Sequence, residues 1–339
     1  MGKRLILREV NLSYEVPCQY LCEHAGFEML TLLKQDETPI QSKGAWLRQG
    51  IRSWGQMLKQ LGRIRQAEQL VLVGNYMSLF AVLLNKLHLI HPRQLYWWGF
   101  QIRGEKMQKL LKAAFKVLYS KNLRFILFSR YEKQLYTDRM GLKPDCFLSI
   151  PYGDWLNRPE KGCSAEQPQE PYYFTGGYSN RDYAGLLKAW EKIDSRLVVI
   201  GSKNNADLYA YSQHPTNPNV EVLMDTPSDV FDHYLAGARA CILPFRSDSG
   251  AAGQTVALRC MKQGKIIVSS RITAMVEYTD HGRTGFLMDD MASELPGIIR
   301  TIEEQPGLIR EMLDQQNQLF SSNFAYDVIT GKLLEIFER

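Results

Sequence analysis

The residues best suited to chemistry lie in two glycine-containing segments of the second half of the chain. Ser247 to Gly264, SDSGAAGQTVALRCMKQG, follows the apolar run ACILP. Small side chains there let the backbone come close to a ligand. Gly253, Gln254 and Thr255 stand where a helix would open, with N–H groups that lack an intrahelical acceptor and a dipole that favours an anion. Phe174 to Lys188, FTGGYSNRDYAGLLK, repeats the arrangement. Its glycine pair, Gly176 and Gly177, precedes Arg181 at the mouth of a second helix, where a forked guanidinium suits a phosphate. The two segments together make a candidate diphosphate cradle. The competing readings are a tight turn whose glycines serve only positive φ and, for Arg181, a solvated first-turn arginine. Asp182 reads as an N-terminal helix acid.

Other chemistries find less support. The six cysteines, Cys18, Cys22, Cys146, Cys163, Cys241 and Cys260, form no C-x2-C pair and lie at no zinc spacing from a histidine. No metal is therefore expected, and they read as reduced, mostly buried thiols. His24, His88 and His91 are isolated, and Glu9, Glu15 and Asp36 are the loop acids nearest early strand ends. None of these singles itself out as a general base.

The cradle needs a scaffold, and the second half supplies one. Tyr172 to Thr175, Leu197 to Ile200, Val220 to Leu223, Ala240 to Pro244 and Lys265 to Ser269 are short apolar runs bounded by turn residues, hence strands. Between them Tyr183, Leu186, Leu187, Trp190 and Ile193 keep helical spacing. Thr226-Pro227-Ser228-Asp229 offers a capping oxygen, a first-turn proline and an acid. Strands alternating with helices predict a parallel, doubly wound α/β sheet whose ligands bind outside the carboxyl ends of the strands. In the first half Leu5 to Leu7, Leu70 to Val73, Gln94 to Trp98 and Phe125 to Ser129 suggest a second such sheet. Asn157 to Pro171, with three prolines and no periodicity, reads as a linker. The expected division is 1–152 and 153–324, with a final helix, 325–339, crossing back to brace the first domain.

At this point the chain resembles a known family. GGYSNRDYAGLLKAW, LVVIGS, NVEVLMDTPSDVFDHYLAGARACILPF and GQTVALRCMKQGKIIVSSRITAMVEYTDHGRTGFLM look like the donor domain of GT-B glycosyltransferases, especially glycosyltransferase family 4, in the family's order. FILFSRYEKQLYTDRMGLKPDCFLSIPYGDW is similar to the passage into its interdomain linker. The likeness covers about 190 residues well and the first 90 poorly. It implies an α/β fold of two Rossmann-like domains facing across a cleft, an N-terminal acceptor domain and a C-terminal donor domain. The implied donor is a nucleotide-diphosphate sugar, with no other cofactor. Its diphosphate would lie on Gly253, Gln254 and Thr255 with Arg181, beside Gly177 and Ser249. Its base would lie near Gly201 and Ser202 and near Leu223 and Met224, at two strand ends. Such enzymes generally need no metal, because positive side chains and a helix N-terminus stabilise the leaving diphosphate. If configuration is retained, as in the family, that diphosphate takes the acceptor proton and no protein base is required. One departure stands out. The two glutamates that many members carry eight positions apart correspond to Ala251 and Arg259, neither of which accepts as a carboxylate does. Arg259 then adds charge to the cradle or meets an acidic sugar, in a catalytic role beside Arg181, or else it is a structural ion pair.

Charge points to a partner for the first half. Residues 1 to 150 hold 23 Lys and Arg against 11 Asp and Glu, a balance of +12, while the remainder is at −7. Arg103 to Arg124 is a basic amphipathic segment: Met107, Leu110, Leu111, Ala114, Phe115 and Leu118 make an apolar stripe, with Lys106, Lys109, Lys112 and Lys116 away from much of it. This suits anionic lipid headgroups, or a Rossmann helix with a solvated lysine face. The preceding YWWGFQ, Tyr96 to Gln101, either lines an acceptor cleft or is core. The start, MGKRLILREV, has no apolar run followed by a cleavage site, and Leu70 to Ile90 is interrupted by Asn75, Ser78, Asn85, Lys86 and His88. The expectation is a cytoplasmic enzyme, peripheral on the inner face of the membrane, that glycosylates a glycan or lipid-linked acceptor in cell-surface polysaccharide assembly. Three other readings fit the same residues: a catalytically silent binding subunit, a nucleotide-sugar epimerase, and a nucleic-acid-directed transferase. No aromatic-basic recognition motif supports the last, so no nucleic acid is expected.

Overall fold

The computed structural model describes residues 2–9, 15–33, 43–74, 76–100, 105–155, 170–248 and 252–338. Asp36, Asn75, Gln101, Cys163, Ser249, Ala251 and most of the expected linker lie outside the described residues. The chain divides into two compact units, one of Met1–Pro151 with Ile329–Arg339 and one of Tyr152–Val328.

The first unit runs β1 (Lys3–Arg8), α1 (Glu15–His24), β2 (Phe27–Thr31), α2 (Lys43–Lys59), α3 (Leu61–Arg65), β3 (Ala67–Val73), α4 (Tyr76–Lys86), β4 (Gln94–Trp98), α5 (Glu105–Leu118), β5 (Leu123–Leu127), α6 (Arg130–Met140) and β6 (Phe147–Ser149). All pairings are parallel, in the order β2-β1-β3-β4-β5-β6. Helices cover both faces of a parallel sheet, so its strands are apolar on both sides, as Leu5, Ile6, Leu7 and Leu70 to Val73 are here. Ser129 and Glu132 cap α6 reciprocally. The Ser129 hydroxyl accepts from the Tyr131 N–H at 3.1 Å and the Glu132 carboxylate from the Phe128 N–H at 3.2 Å.

Two expectations are settled in this unit. The aromatics of YWWGFQ are core. Trp97 and Phe100 pack with Phe115 and Phe125, while Tyr96 and Trp98 meet Phe337 of the last helix. The apolar stripe of α5 is split. Phe115 is buried and Leu111 and Leu118 pack on the core, whereas Met107 and Leu110 face solvent together with Val117. Among the described residues no helix is long and apolar enough to cross a membrane.

The second unit runs β7 (Tyr172–Gly176), α7 (Tyr183–Trp190), β8 (Arg196–Gly201), α8 (Ala206–Gln213), β9 (Val220–Met224), α9 (Ser228–Gly237), β10 (Ala240–Leu243), α10 (Gln254–Lys262), β11 (Ile266–Ser270), β12 (Gly285–Met288), α11 (Met291–Glu304) and α12 (Pro306–Asn323). It is followed by α13 (Tyr326–Glu338). Its parallel sheet has the order β12-β11-β10-β7-β8-β9. Strand order reverses between β7 and β10, and the carboxyl ends of that pair form the crevice where doubly wound sheets hold ligands. Each face of the sheet carries its own cluster, one including Phe174, Phe231 and Tyr278, the other Tyr173, Trp190 and Ile299.

Asp182 caps α7, accepting from the Gly185 N–H at 3.1 Å. The start of α9 differs from expectation. The cap position is Pro227, and the buried Thr226 hydroxyl has no hydrogen-bond partner. Three strands had no sequence signal, β2, β6 and β12, and all three are sheet edges.

Candidate active site

The loops that follow β7 and β10 are stitched together at the reversal point. Arg181 and Phe245 form an antiparallel bridge. The Asp182 N–H donates to the Pro244 carbonyl at 3.1 Å and the Arg246 N–H to that of Asn180 at 3.2 Å. This brings the two glycine segments to one place, around the Phe245 ring.

Arg181 is 3% exposed. Its Nε donates to the Gly176 carbonyl at 3.2 Å and its Nη1 to that of Ser179 at 3.1 Å, and its guanidinium lies 4.4 Å from the centre of the Phe245 ring. Gly177 makes room for it. At φ +122°, a β-carbon on Gly177 would stand 2.6 Å from Nη2. Burial pushes the guanidinium's pKa below the usual arginine value, yet arginine remains a cation at neutral pH. Among the described residues no carboxylate pairs with it, and Nη2 has no acceptor. A buried charge without a counter-ion is costly, so the position is suited to an anion.

The second wall is the start of α10. Gly253 occupies the cap position at φ +82°, and a β-carbon there would run into the Phe245 ring. The N–H groups of Val256 and Ala257 turn back to the Gly253 carbonyl, at 3.0 and 2.9 Å. Those of Gln254 and Thr255 have no acceptor among the described residues. Gln254 is 7% exposed and its side-chain Nε2 is also without a partner. Unmatched N–H donors at a helix N-terminus and an uncompensated guanidinium therefore flank one aromatic ring. That is the donor set an oxyanion requires.

A second group stands at the ends of β8 and β9. The Asp225 N–H donates to the Gly201 carbonyl at 2.8 Å, which ties the two ends together, and the Ser202 hydroxyl accepts from the Asn204 N–H at 3.3 Å. Met224 packs against the core beside them. The structure thus groups Gly177, Arg181, Gly253, Gln254 and Thr255, and sets Gly201, Ser202 and Met224 along the same edge of the sheet.

Arg259 makes its polar contacts away from the cradle residues. Its guanidinium turns onto α9, with Nη1 3.2 Å from the Asp232 carboxylate and Nη2 donating to the Ser228 hydroxyl at 3.1 Å. This ion pair is one of the two arrangements expected for the residue.

Sequence reasoning missed two residues that build the site. Phe245 separates Arg181 from Gly253, and a single aromatic after a strand carries no signature. Tyr183 donates its hydroxyl to the Gly177 carbonyl at 2.7 Å, fixing the glycine loop, and burial pushes its phenol pKa up. A neighbouring cleft of about 530 Å³ includes Lys188, Arg246, Asp248, Arg271 and Asp289 in its wall. There the arginines are matched, Arg246 by Asp207 and Arg271 by Asp289. Among the described residues no group of three or more His, Cys, Asp or Glu is placed to hold a metal ion.

Comparison with known proteins bears on the same unit. Residues 172–304 match the family model described as Glycosyl transferases group 1. No curated protein matches the chain in sequence. Among solved structures, HepE of Anabaena in complex with UDP-glucose is 11% identical, with a TM-score of 0.72 and both chains fully covered. The sucrose-phosphate synthase of Thermosynechococcus elongatus is 14% identical, with a TM-score of 0.72 over 99% of this chain and 98% of that one. The lipopolysaccharide outer core galactosyltransferase WaaB is 13% identical, with a TM-score of 0.69 over 100% and 99%. These likenesses establish the fold as GT-B, in agreement with the resemblance read from the sequence.

Proposed function

We propose that this chain is a glycosyltransferase that moves a sugar from a nucleoside diphosphate to a glycan or lipid-linked acceptor. One observation carries the reading. Arg181 is a buried cation with no carboxylate partner among the described residues, and the unmatched donors of α10 stand on the other side of Phe245. A diphosphate supplies the missing charge. The match of residues 172–304 to a glycosyltransferase family and the UDP-glucose bound by HepE support a nucleotide sugar as the form in which it comes.

In this reading Gly253, Gln254 and Thr255 with Arg181 hold the two phosphates, and Gly201, Ser202 and Met224 meet the base. As the glycosidic bond to the diphosphate breaks, negative charge grows on the leaving oxygen. Fixed donors aimed there stabilise the transition state more than the ground state. The donor set fits a reaction that needs no metal. With retention of configuration, the departing diphosphate takes the proton of the attacking hydroxyl.

The first unit would receive the acceptor at a membrane. On α5 the exposed Met107, Leu110 and Val117 form an apolar flank, with Lys109, Lys112 and Lys116 exposed beside it. Residues 43 to 118 hold 13 lysines and arginines against two acids. Apolar insertion joined to positive charge is the pattern of interfacial helices on anionic lipid. The proposed place is the cytoplasmic face of the cell membrane and the proposed role is cell-surface polysaccharide assembly, which the name of WaaB also favours. A nucleic acid is not the proposed partner.

The test is a thermal-shift screen of UDP, GDP, ADP, CMP and dTDP against the full chain. Stabilisation by one nucleotide well above the rest supports the reading and fixes the donor class. No shift with any of them at millimolar concentration overturns it.

A further inference from the structure

Arg246 follows Phe245 in the loop after β10, and its side chain reaches back to the segment that carries Arg181. Its Nε donates to the Arg181 carbonyl at 3.0 Å, and its Nη2 pairs with the Asp207 carboxylate in the first turn of α8. Its main-chain N–H donates to the Asn180 carbonyl at 3.2 Å. The next residue adds to the same contact, because the Ser247 carbonyl accepts from the Asn180 side-chain amide at 2.6 Å. Asn180 stands at φ +56°. That left-handed conformation suits asparagine better than most residues, and it persists where the surroundings hold it in place.

The bonds of Arg246 go to the main chain of the Arg181 loop and not to the Arg181 guanidinium. What they hold is the backbone from which that guanidinium starts. The guanidinium itself folds back onto the Gly176 and Ser179 carbonyls, so its place depends on where residues 180 and 181 lie. A bond from a guanidinium to a phosphate is sensitive to distance and angle, and a small displacement of its base is felt at the ligand. The pair with Asp207 gives little energy of its own, since both side chains are about half exposed. It does two other things: it orients the planar fork so that Nε meets the carbonyl, and it compensates the Arg246 charge.

We propose that Arg246 is a positioning residue of the diphosphate site, fixing the Asn180–Arg181 backbone and through it the point at which the Arg181 guanidinium meets a phosphate. This rests on the diphosphate reading above, and the test separates the two. UDP, GDP, ADP and dTDP are titrated into the unaltered chain, Arg246→Ala, Arg246→Met, Arg181→Met and the doubly substituted Arg181→Met with Arg246→Ala. Calorimetry serves the tighter complexes and ligand-observed NMR the weaker ones.

Each Arg246 variant is expected to bind the nucleotide about tenfold more weakly, within the range of interaction energies between side chains that share a network. In the Arg181→Met background the same change should cost less than about twofold, because the group it positions is gone. A structural role alone lowers the melting temperature and leaves the affinity of the folded chain unchanged, and that result overturns the proposal. So does a tenfold loss that persists in the Arg181→Met background, which is the mark of a long-range charge effect or a direct contact. Both of these leave the diphosphate site standing. Failure of the unaltered chain to bind any of the four nucleotides overturns both readings.

Discussion

Replacing Arg181 by methionine separates a binding role from a structural one, because the two predict opposite balances. Methionine keeps much of the side-chain length and removes the charge. Without ligand, the loss is two hydrogen bonds, from Nε to the Gly176 carbonyl and from Nη1 to that of Ser179, and the cation–π contact with Phe245. Each hydrogen bond contributes about 1.5–3 kcal/mol when the donor is charged. Against this, the native chain buries a cation that is 3% exposed with no carboxylate partner among the described residues, a desolvation cost of several kcal/mol. The two effects largely offset, and unliganded stability in urea should change by no more than about 2 kcal/mol, in either direction. With nucleotide present there is no offset. Removing a charged donor from a phosphate costs about 1.5–3 kcal/mol, a loss of roughly 10- to 150-fold in affinity. Urea melts of the free protein, with calorimetric titration of the nucleotide found in the screen, measure both quantities. A loss of more than about 4 kcal/mol in the free protein together with unchanged affinity would show Arg181 to be a structural buried arginine, and the cradle argument would fall.

Three further outcomes follow from the same geometry. Gly253→Ala places a β-carbon at φ +82° against the Phe245 ring; it should cost about 1–3 kcal/mol in folding and weaken nucleotide binding more than an alanine elsewhere on α10, as paired melts and titrations would record. Leu110→Asp with Val117→Asp should abolish flotation on vesicles of anionic phospholipid and leave nucleotide binding intact, and Lys109→Glu with Lys112→Glu should weaken flotation in proportion to salt; unchanged flotation in both would remove α5 as the contact. Stability should also fall at alkaline pH. Burial raises the Cys18 thiol to about 12, the Cys146 thiol to about 11 and the Tyr172 phenol to about 12, from ordinary values of 9.0, 9.0 and 10.0. The unfolded chain loses these protons first, so the melting temperature should hold level to about pH 8.5 and drop steadily above pH 9; a flat profile from pH 8 to 11 would contradict the burial of these groups.

Much of this was legible in the sequence. Buried central strands of a parallel sheet must be continuous apolar runs, so those centred on Leu5, Leu70, Leu95, Phe125, Phe174, Val198, Ile242 and Val268 announced themselves, and their alternation with helical spacing implied a doubly wound plan. Glycine at positions 177 and 253 and arginine at 181 carried the candidate site for a local reason: a strand-to-helix turn with positive φ beside a guanidinium is written in consecutive residues. The alternation of strands and helices also made a cradle at strand ends predictable before its walls were known.

Tertiary structure decided what depends on distant partners. The edge strands β2, β6 and β12 lack the bounded apolar run that marked the others, and each pairs with a neighbour on one side alone. Arg259 looks from its place on α10 like a second phosphate ligand. Asp232, 27 positions away in sequence, draws it onto α9. Met107 and Leu110 belong to the same apolar pattern as Phe115, and only the packing of α5 on the core shows that Phe115 is buried and the other two are not. Phe245 acquires meaning only when two loops 64 residues apart close on it. Local sequence sets backbone preference and which groups can donate or accept. Which of those groups remain unmatched, and so able to hold a ligand, is fixed only when the whole domain has packed.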